Sequence, residues 1–325
     1  MHAMTEASRI ARGVAGASAV FLVLAFGGAA HAAGSATAVA PYMDMAGANP
    51  SALDDAITSG GLTDFTAAFV VGNGCIPVWD DGTPVADATA INQHIAAARS
   101  EGAEPIISFG GQGGTDLARS CTNLKKLTAG YQAVIDRFAV TRVDFDVEGA
   151  ALDDGKSITR RFSAIKSLEA ATPGLIVSAT LPVGPGGLLD NGFAFLQAAS
   201  DDGVRIDLVN IMAMDYTGAR DMGATAVSAA KGTLAQMRSL WPTLGYANLG
   251  VTAMIGVNDV SVEVFTMQNA KTLVKFARKN GIGRLGFWSI NRDRACAVPG
   301  GAARNDCSGV TQSPGAFTKA FVAAG

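Results

Sequence analysis

The stretch Arg142-Val-Asp-Phe-Asp-Val-Glu-Gly149 alternates apolar and acidic residues. Successive side chains of a β-strand point to opposite faces, so this alternation predicts a strand with one apolar and one acidic face. The acidic face carries Asp144, Asp146 and Glu148. In a parallel barrel the apolar face would pack against helices and the acids would line the interior. Carboxylates are costly there unless they share protons and hydrogen bonds.

Three interpretations of the acidic face are open from these residues alone. The commonest meaning of such alternation is a half-exposed strand whose polar face is solvated. Alternatively, the carboxylates are catalytic, or they hold a hard cation such as Mg²⁺ or Ca²⁺, which prefers oxygen ligands. The surrounding sequence has to decide among the three.

The acidic stretch is one of eight short β-branched or apolar runs, which lie near residues 39, 65, 104, 142, 175, 207, 249 and 284. Segments with helical periodicity lie between several of them. These predicted helices span residues 90–100, 124–138, 157–171, 224–240 and 262–280. Strand and helix alternating about every 35 residues is typical of the α/β class with a parallel sheet. The spacing predicts a single (β/α)₈ TIM barrel over residues 33–325, with an open doubly wound sheet as the alternative.

Residues 1–32 are predicted to be a secretory signal peptide. Arg9 and Arg12 precede an uncharged, mostly apolar stretch at residues 13–30, and Ala30-His31-Ala32 provides a small-x-small cleavage sequence. A membrane anchor is the alternative, because the uncharged stretch approaches the length that spans a bilayer. Cleavage would give a secreted, extracellular protein that begins at residue 33 and is not attached to a membrane.

The histidine content and the net charge limit the kinds of site and partner that this chain can have. Of the three histidines, His2 and His31 lie in the leader, so the mature chain would keep only His94, which fits an ordinary helix position. This argues against sites built from several histidines and against a Ser-His-Asp triad. The formal net charge of −3 argues against a nucleic-acid partner, whose phosphates call for a basic surface. We expect no metal and no cofactor.

Four cysteines follow the leader, and export would place them where disulfides persist. Three pairings are formally possible. We favour Cys75 with Cys121, each just beyond a predicted strand, and Cys296 with Cys307, which would close a short polar loop. A metal site is the alternative, although no C-x-x-C spacing supports it.

Four segments together resemble glycoside hydrolase family 18, the chitinases and related endo-β-N-acetylglucosaminidases. Asp144-Phe-Asp-Val-Glu148 resembles the D-x-D-x-E end of that family's fourth-strand motif, and Ile107-Ser-Phe-Gly-Gly111 is similar to its third-strand S-x-G-G. Val209-Asn-Ile-Met-Ala-Met-Asp-Tyr216 resembles the sixth-strand M-x-Y-D region, and Trp288 stands where the family keeps an eighth-strand tryptophan. The matches fall in the family's order across residues 108–288.

The sequence departs from the family pattern at two places. Thr141 occupies the position of the first aspartate of D-x-x-D-x-D-x-E, and Arg142 stands where glycine is usual, so we expect altered bonding of the strand and retained chemistry. In the sixth strand, Met214 falls on the family's tyrosine and Asp215 on its aspartate, with Tyr216 one residue late. Either a small bulge brings Tyr216 into place or Asp215 acts without it.

The resemblance implies a secreted, endo-acting chitinase. It would hydrolyse β-1,4 linkages between N-acetylglucosamine units with retention of configuration, the substrate's own acetamido oxygen serving as nucleophile. Glu148 would be the general acid, with a pKa raised by neighbouring carboxylates. Asp146 would orient the acetamido group, and Asp144 would hold a proton shared with Asp146. Asp215 and Tyr216 would contact the acetamido group.

The resemblance also implies a set of residues that bind the sugar. Aromatic faces stack on sugar rings, and Tyr42 and Trp288 are the candidates, Trp288 as the floor of the cleavage site. Asn258 would bond a sugar hydroxyl, and Met214 is included because it occupies the family's tyrosine position. The expected partner is chitin or a chito-oligosaccharide, bound by a monomer.

Two other functions remain open on the same scaffold. An endo-β-N-acetylglucosaminidase acting on N-glycans would share the catalytic residues and differ only in its loops. A chitin-binding lectin would not hydrolyse its ligand. Such lectins commonly lack the acid, so the presence of Glu148 counts against this second alternative.

Overall fold

The computed structural model describes residues 37–47, 49–218, 220–298 and 300–325. The predicted signal peptide and its cleavage site lie outside these residues and stay predictions. Within the described ranges, no helix has the length and apolar character needed to cross a membrane.

Thirteen strands are present in the described part of the chain. In chain order they are β1 (Ala38–Val39), β2 (Tyr42–Asp44), β3 (Asp64–Asn73), β4 (Ile76–Trp79), β5 (Glu104–Gly110), β6 (Arg142–Asp146), β7 (Ile176–Gly184), β8 (Gly187–Leu188), β9 (Leu208–Ala213), β10 (Leu249–Met254), β11 (Gly256–Val257), β12 (Val264–Phe265) and β13 (Arg284–Trp288). All eight predicted runs are confirmed as strands.

Eight parallel strand positions close into a barrel. Segments β1 and β2 form the first position, and β3, β5, β6, β7, β9, β10 and β13 follow in sequence order around the ring. The last strand lies against the first, because Leu285 pairs with Val39 and Trp288 with Tyr42. This closure confirms the TIM barrel and excludes the open doubly wound sheet.

Nine α-helices accompany the barrel in the described ranges. They are α1 (Ser51–Thr58), α2 (Thr89–Ser100), α3 (Leu117–Ser120), α4 (Leu124–Phe138), α5 (Gly155–Ala171), α6 (Asp190–Asp201), α7 (Met222–Leu240), α8 (Met267–Asn280) and α9 (Ala316–Val322). Four of the five predicted helices, those corresponding to α2, α4, α5 and α7, are confirmed to within two residues.

The predicted start of the fifth helix at residue 262 is wrong. Helix α8 begins at Met267, because Thr266 and Asn269 form a capping box that satisfies the first free N–H groups of the helix. The residues just before it pair in β12 instead. The helix ends at Gly281, whose φ of 67° suits a glycine C-cap.

The apolar face of the acidic strand packs outward against helix α4. Phe145 stacks on Phe109 of β5 with ring centroids 5.4 Å apart, and Tyr131 of α4 meets both rings edge-on at 5.3 and 4.8 Å. All three rings are fully buried. Burial of such side chains contributes roughly 1.5–3 kcal/mol each, so this face fixes the strand with its acids pointing inward.

Both favoured disulfides are present. Cys75, in the turn between β3 and β4, is bonded to Cys121, which follows α3. Cys296 is bonded to Cys307 in the segment after β13. No free cysteine remains.

Candidate active site

Asp144 lies fully buried inside the barrel, halfway along β6. Its two carboxylate oxygens accept hydrogen bonds from side chains on four other strands. The donors are the hydroxyls of Tyr42 (3.0 Å), Ser108 (2.8 Å), Ser178 and Thr180 (2.8 Å) and the guanidinium of Arg284 (3.1 Å). The interpretation of a solvated polar face is therefore wrong for this residue.

Asp146 lies two residues further along β6 and is 3% exposed. Its Oδ1 atom has no hydrogen-bond partner in the described structure. Burial raises its pKa well above the ordinary value, and the negative charges of Glu148 and Asp144 raise it further, while Arg284 lowers it. Asp146 therefore holds a proton more readily than an ordinary aspartate.

Glu148 follows the end of β6, where the chain enters a short 3₁₀ turn at Gly149–Ala151. The side chain is half-buried. Burial raises its pKa to about 7, and the nearby charge of Asp215 contributes in the same direction. The raised pKa expected from the sequence is present, although burial is the larger cause. Near neutral pH, Glu148 can therefore donate a proton and take one back.

The chain bends sharply at Asp215, just after β9. This residue has φ of 52°, in the left-handed region that non-glycine residues rarely adopt. Its Oδ1 accepts a hydrogen bond of 3.1 Å from the Val260 N–H, and burial raises its pKa. The bend places the Asp215 carboxylate close enough to Glu148 to affect its ionisation.

The interpretation of the acidic strand as a cation site finds no support in the described residues. The oxygens of Asp144 are occupied by hydroxyl donors and by Arg284. In the part of the chain that the structure describes, no group of three or more His, Cys, Asp or Glu side chains is placed to hold a metal ion.

Two glycines of the Ser108-Phe-Gly-Gly111 sequence hold the backbone beside the acids. Gly110 has φ of 109°, and a Cβ atom on it would lie 2.0 Å from the carbonyl oxygen of Asp146. The same oxygen accepts a 3.0 Å hydrogen bond from the Gly111 N–H. Only glycine permits this approach, so the motif fixes the end of β6 from which Glu148 projects.

Aromatic side chains meet beside these acids, at the closure of the barrel. Trp288 is partly buried and stacks on Phe69, with ring centroids 5.6 Å apart and planes 17° apart. A Cβ atom on Gly111 would come within 2.7–2.9 Å of the Phe69 ring, so this glycine lets the ring pack on the backbone. Tyr42 packs against both rings, at 5.9 Å from Phe69 and 6.4 Å from Trp288.

Comparisons with known proteins agree with this geometry. A scan against models of protein families gave no match. The chain is 32% identical over 283 residues to a probable bifunctional chitinase/lysozyme of Escherichia coli K12, and 31% identical over 282 residues to Endochitinase 11 of Metarhizium anisopliae. These alignments cover 81% and 80% of the chain but only 31% and 53% of the two relatives.

The structural comparison decides the family. The catalytic domain of the hyperthermophilic chitinase from Pyrococcus furiosus has a TM-score of 0.79 and 30% identity, over 89% of this chain and 95% of that one. The chain belongs to glycoside hydrolase family 18. A family 18 chitinase from Chromobacterium violaceum, at 17% identity and a TM-score of 0.57, shows the same fold.

Tyr216, which follows the bend at Asp215, is buried. This residue is 3% exposed and lies in the main hydrophobic core, and its hydroxyl has no partner among the described residues. Its charged neighbours are Glu263 and Arg220. The burial of Tyr216 concerns the first of the two alternatives for this strand, and the action of Asp215 without Tyr216 stays a prediction. Met214, before the bend, is half-buried, and its place in the sugar site stays a prediction.

Two other sugar-binding predictions for this family 18 chain are wrong. Tyr42 is 2% exposed and its hydroxyl is bonded to Asp144, so it cannot offer a face to a sugar. Asn258 is fully buried, and its amide group donates to the carbonyls of Met254 (2.9 Å) and Gly256 (3.1 Å). Neither side chain is exposed in the described structure.

Thr141 and Arg142, which depart from the family 18 strand motif, both make contacts with other strands. Arg142 forms an ion pair with Asp64 at the start of β3. The Thr141 carbonyl accepts a 2.8 Å hydrogen bond from the Ile176 N–H. These contacts lie at the entry of β6, four residues or more before Asp146, and the retained chemistry stays a prediction.

Proposed function

We propose that the chain is a secreted, endo-acting chitinase that cleaves β-1,4 linkages between N-acetylglucosamine units with retention of configuration. One observation carries the proposal. Glu148 is half-buried with a pKa of about 7, between the carboxylates of Asp146 and Asp215 at the end of the barrel where TIM-barrel enzymes keep their active sites. The relatives named chitinases support the same substrate class.

In the first step Glu148 would protonate the glycosidic oxygen. The bond from C1 to that oxygen breaks, and the acetamido oxygen of the same sugar bonds to C1 to give an oxazolinium ion. Asp146 would accept a hydrogen bond from the acetamido N–H, which orients the group and offsets the positive charge. This contact stabilises ionised Asp146, so the proton of the coupled pair remains on Glu148 for transfer.

In the second step the Glu148 carboxylate would act as base. It takes a proton from a water molecule, whose oxygen attacks C1 as the bond to the acetamido oxygen breaks. Glu148 regains its proton, and the product keeps the β configuration after two inversions. Asp215 would keep negative charge near Glu148 and so maintain its proton affinity.

The arrangement of the acids supports a nucleophile that comes from the substrate. The usual retaining mechanism needs an ionised carboxylate as nucleophile beside the acid. Asp144 is saturated by donors deep in the barrel, and Asp146 would be engaged with the acetamido N–H, so neither carboxylate is left to attack C1. A substrate with a 2-acetamido group removes this need, which restricts the substrates to chitin, chito-oligosaccharides and the chitobiose core of N-glycans.

Replacement of Glu148 tests its assignment as the general acid. Glu148→Gln should lower the rate of chitotetraose hydrolysis by at least about a hundredfold, while binding of the sugar measured by calorimetry persists. Glu169→Gln is the matched control, because Glu169 is another half-buried glutamate with a raised pKa, paired with Arg205 at a distance from the site. Hydrolysis by Glu148→Gln at the wild-type rate would contradict the proposal.

The substrate and stereochemistry need their own measurements. Wild-type protein is assayed side by side on chito-oligosaccharides and on a high-mannose glycoprotein, and cleavage of the glycoprotein alone would instead identify an endo-β-N-acetylglucosaminidase. Proton NMR of fresh products should show the β anomer first. Release of internal fragments from longer oligosaccharides tests the endo mode, and N-terminal sequencing of exported protein tests cleavage after residue 32.

A further inference from the structure

Asp215 is held in a conformation that its own backbone does not favour. A φ of 52° is left-handed, and residues other than glycine adopt it at a cost of about 1 kcal/mol or more. Such a conformation persists only where surrounding contacts maintain it. The contacts on Asp215 therefore matter for the direction of its carboxylate.

The segment after β10 supplies those contacts. The Asp215 N–H donates a long hydrogen bond of 3.4 Å to Oδ1 of Asn258. The Val260 N–H donates a bond of 3.1 Å to Oδ1 of Asp215. Backbone and side chain of Asp215 are thus both bound by residues 258–260.

Asn258 is itself held rigidly. Its amide group donates to the carbonyls of residues 254 and 256, and the buried guanidinium of Arg292 donates to those of Ile255 (2.9 Å) and Val257 (2.6 Å). Four consecutive carbonyls thereby accept hydrogen bonds from two buried side chains on opposite sides of the segment. Both donor positions of the Asn258 amide are used, so its oxygen has a fixed direction toward Asp215.

We propose that Asn258 is a positioning residue that holds Asp215 in its left-handed conformation beside Glu148. Asn258 is fully buried and would act through Asp215 without touching the substrate. The inference rests on the proposed function, because Asp215 matters to turnover only if Glu148 is the acid.

The charged surroundings of Asp215 give the proposal a measurable signature. Glu148, Asp259 and Glu263 face it with negative charge, and Arg292 faces it with positive charge. If Asp215 turns away, Glu148 loses the neighbouring charge that helps it to retain its proton. The alkaline limb of the pH profile of kcat/KM should then move to lower pH, as it should in Asp215→Asn.

A double-mutant cycle on chitotetraose tests the coupling. Asn258→Ala should lower kcat by about ten- to a hundredfold with a smaller change in KM, because a displaced group beside the reacting atoms is costly. In the Asn258→Ala background, Asp215→Asn should cost less than about threefold further. A product of the two separate losses would show that the residues act independently and would overturn the proposal.

Two further variants keep the test decisive. Asn258→Asp keeps an oxygen that can accept from the Asp215 N–H but loses both donations to the carbonyls of residues 254 and 256, so its kcat should fall as in Asn258→Ala; a folded Asn258→Asp protein with the wild-type kcat would contradict the proposal even if Asn258→Ala failed to fold. Asn248→Ala is the matched control. Asn248 makes similar loop bonds to Asp207 and Gly245 before β10, and its loss should leave kcat and the pH profile unchanged.

The activity of the wild-type protein distinguishes failure of the proposed function from failure of the positioning role of Asn258. If wild-type protein does not hydrolyse chitotetraose or the glycoprotein, the proposed function fails and the cycle has no meaning. If wild-type protein hydrolyses the sugar and Asn258→Ala retains kcat within about twofold with an unmoved alkaline limb, only the positioning role fails.

Discussion

The hydroxyl of Tyr42 donates a hydrogen bond of 3.0 Å to Oδ2 of Asp144, across the barrel interior from the first strand position to the fourth. We expect Tyr42→Phe to lower kcat on chitotetraose by about tenfold, with little change in KM. A hydrogen bond to a charged group contributes about 1.5–3 kcal/mol, and its loss changes the proton affinity of the acids beside Asp144.

Tyr246→Phe is the control for this change. Tyr246 packs edge-on against Phe276, with ring centroids 5.5 Å apart, outside the acidic site. Its variant should keep the wild-type kcat. Equal rates for the two phenylalanine variants would show that the Tyr42 hydroxyl has no part in turnover.

The pH dependence of kcat/KM should show an alkaline limb with an apparent pKa near 7. In the proposed mechanism Glu148 must be protonated to act as acid, and its pKa is raised to about 7, so activity should fall as pH rises through that value. Because Glu148 and Asp146 are coupled, the observed value belongs to the pair. Initial rates between pH 5 and 9 measure it, and a limb centred near the ordinary glutamate value of about 4.3 would contradict the assignment.

The stability of the fold should depend on the same group, and it should also fall as pH rises. A carboxyl with a raised pKa in the folded state makes ionisation unfavourable there, so it lowers the stability of the fold progressively as pH rises from about 4.5 to about 7. Glu148→Gln should therefore be more stable than wild type at pH 8, by an amount on the order of 3 kcal/mol at most, and nearly equal at pH 4.

Urea unfolding at the two pH values measures this difference. Glu101→Gln, at an exposed position after α2, controls for the loss of one negative charge. A Glu148→Gln protein less stable than wild type at pH 8 would show that the ionised acid is stabilised in the fold.

The two disulfides should contribute unequally to stability. Cys75–Cys121 spans 46 residues and Cys296–Cys307 spans 11. Because the closure entropy of the unfolded chain grows with loop length, replacing the first pair by alanines should cost about 1 kcal/mol more than replacing the second. Urea midpoints of the two double variants test the order, and a larger loss from the short loop would show that native contacts outweigh chain entropy here.

Phe69 should matter for sugar binding although it lies mostly beneath Trp288. Loss of its stacking in Phe69→Leu removes about 0.5–1.5 kcal/mol that orients the tryptophan, so KM for chitotetraose should rise several-fold. Phe276→Leu, which removes the contact with Tyr246, is the matched control and should leave KM unchanged. An unchanged KM in Phe69→Leu would assign the ring to packing alone.

The strands were predictable because each is a run of apolar residues with clear ends, whereas four helices of the described ranges were missed, among them α3 with four residues and α9 with seven. Helix α1 is only eight residues long, and α6 begins with polar residues and contains Gly192, so neither has a sustained helical period. Closure of the barrel depends on the pairing of Trp288 with Tyr42, which local sequence does not encode.

The acids of the site were predictable, and the partners of those acids were not. Ser108, Asp144 and Ser178 lie side by side on three neighbouring strands, and that register exists only in the folded sheet. Arg284 is a single cation at the start of an apolar strand, with nothing in its neighbours to indicate a role. Tyr42 and Asn258 were misjudged because exposure is decided by tertiary packing.

Asp144 receives hydrogen bonds from β2, β5, β7 and β13, so one carboxylate ties together half of the strand positions in the ring. Substitutions in the barrel interior should therefore be poorly tolerated, because the same residues serve both folding and turnover. Directed evolution of substrate range in this protein would gain most from libraries confined to the loops after the strands, with the five donors of Asp144 left unchanged.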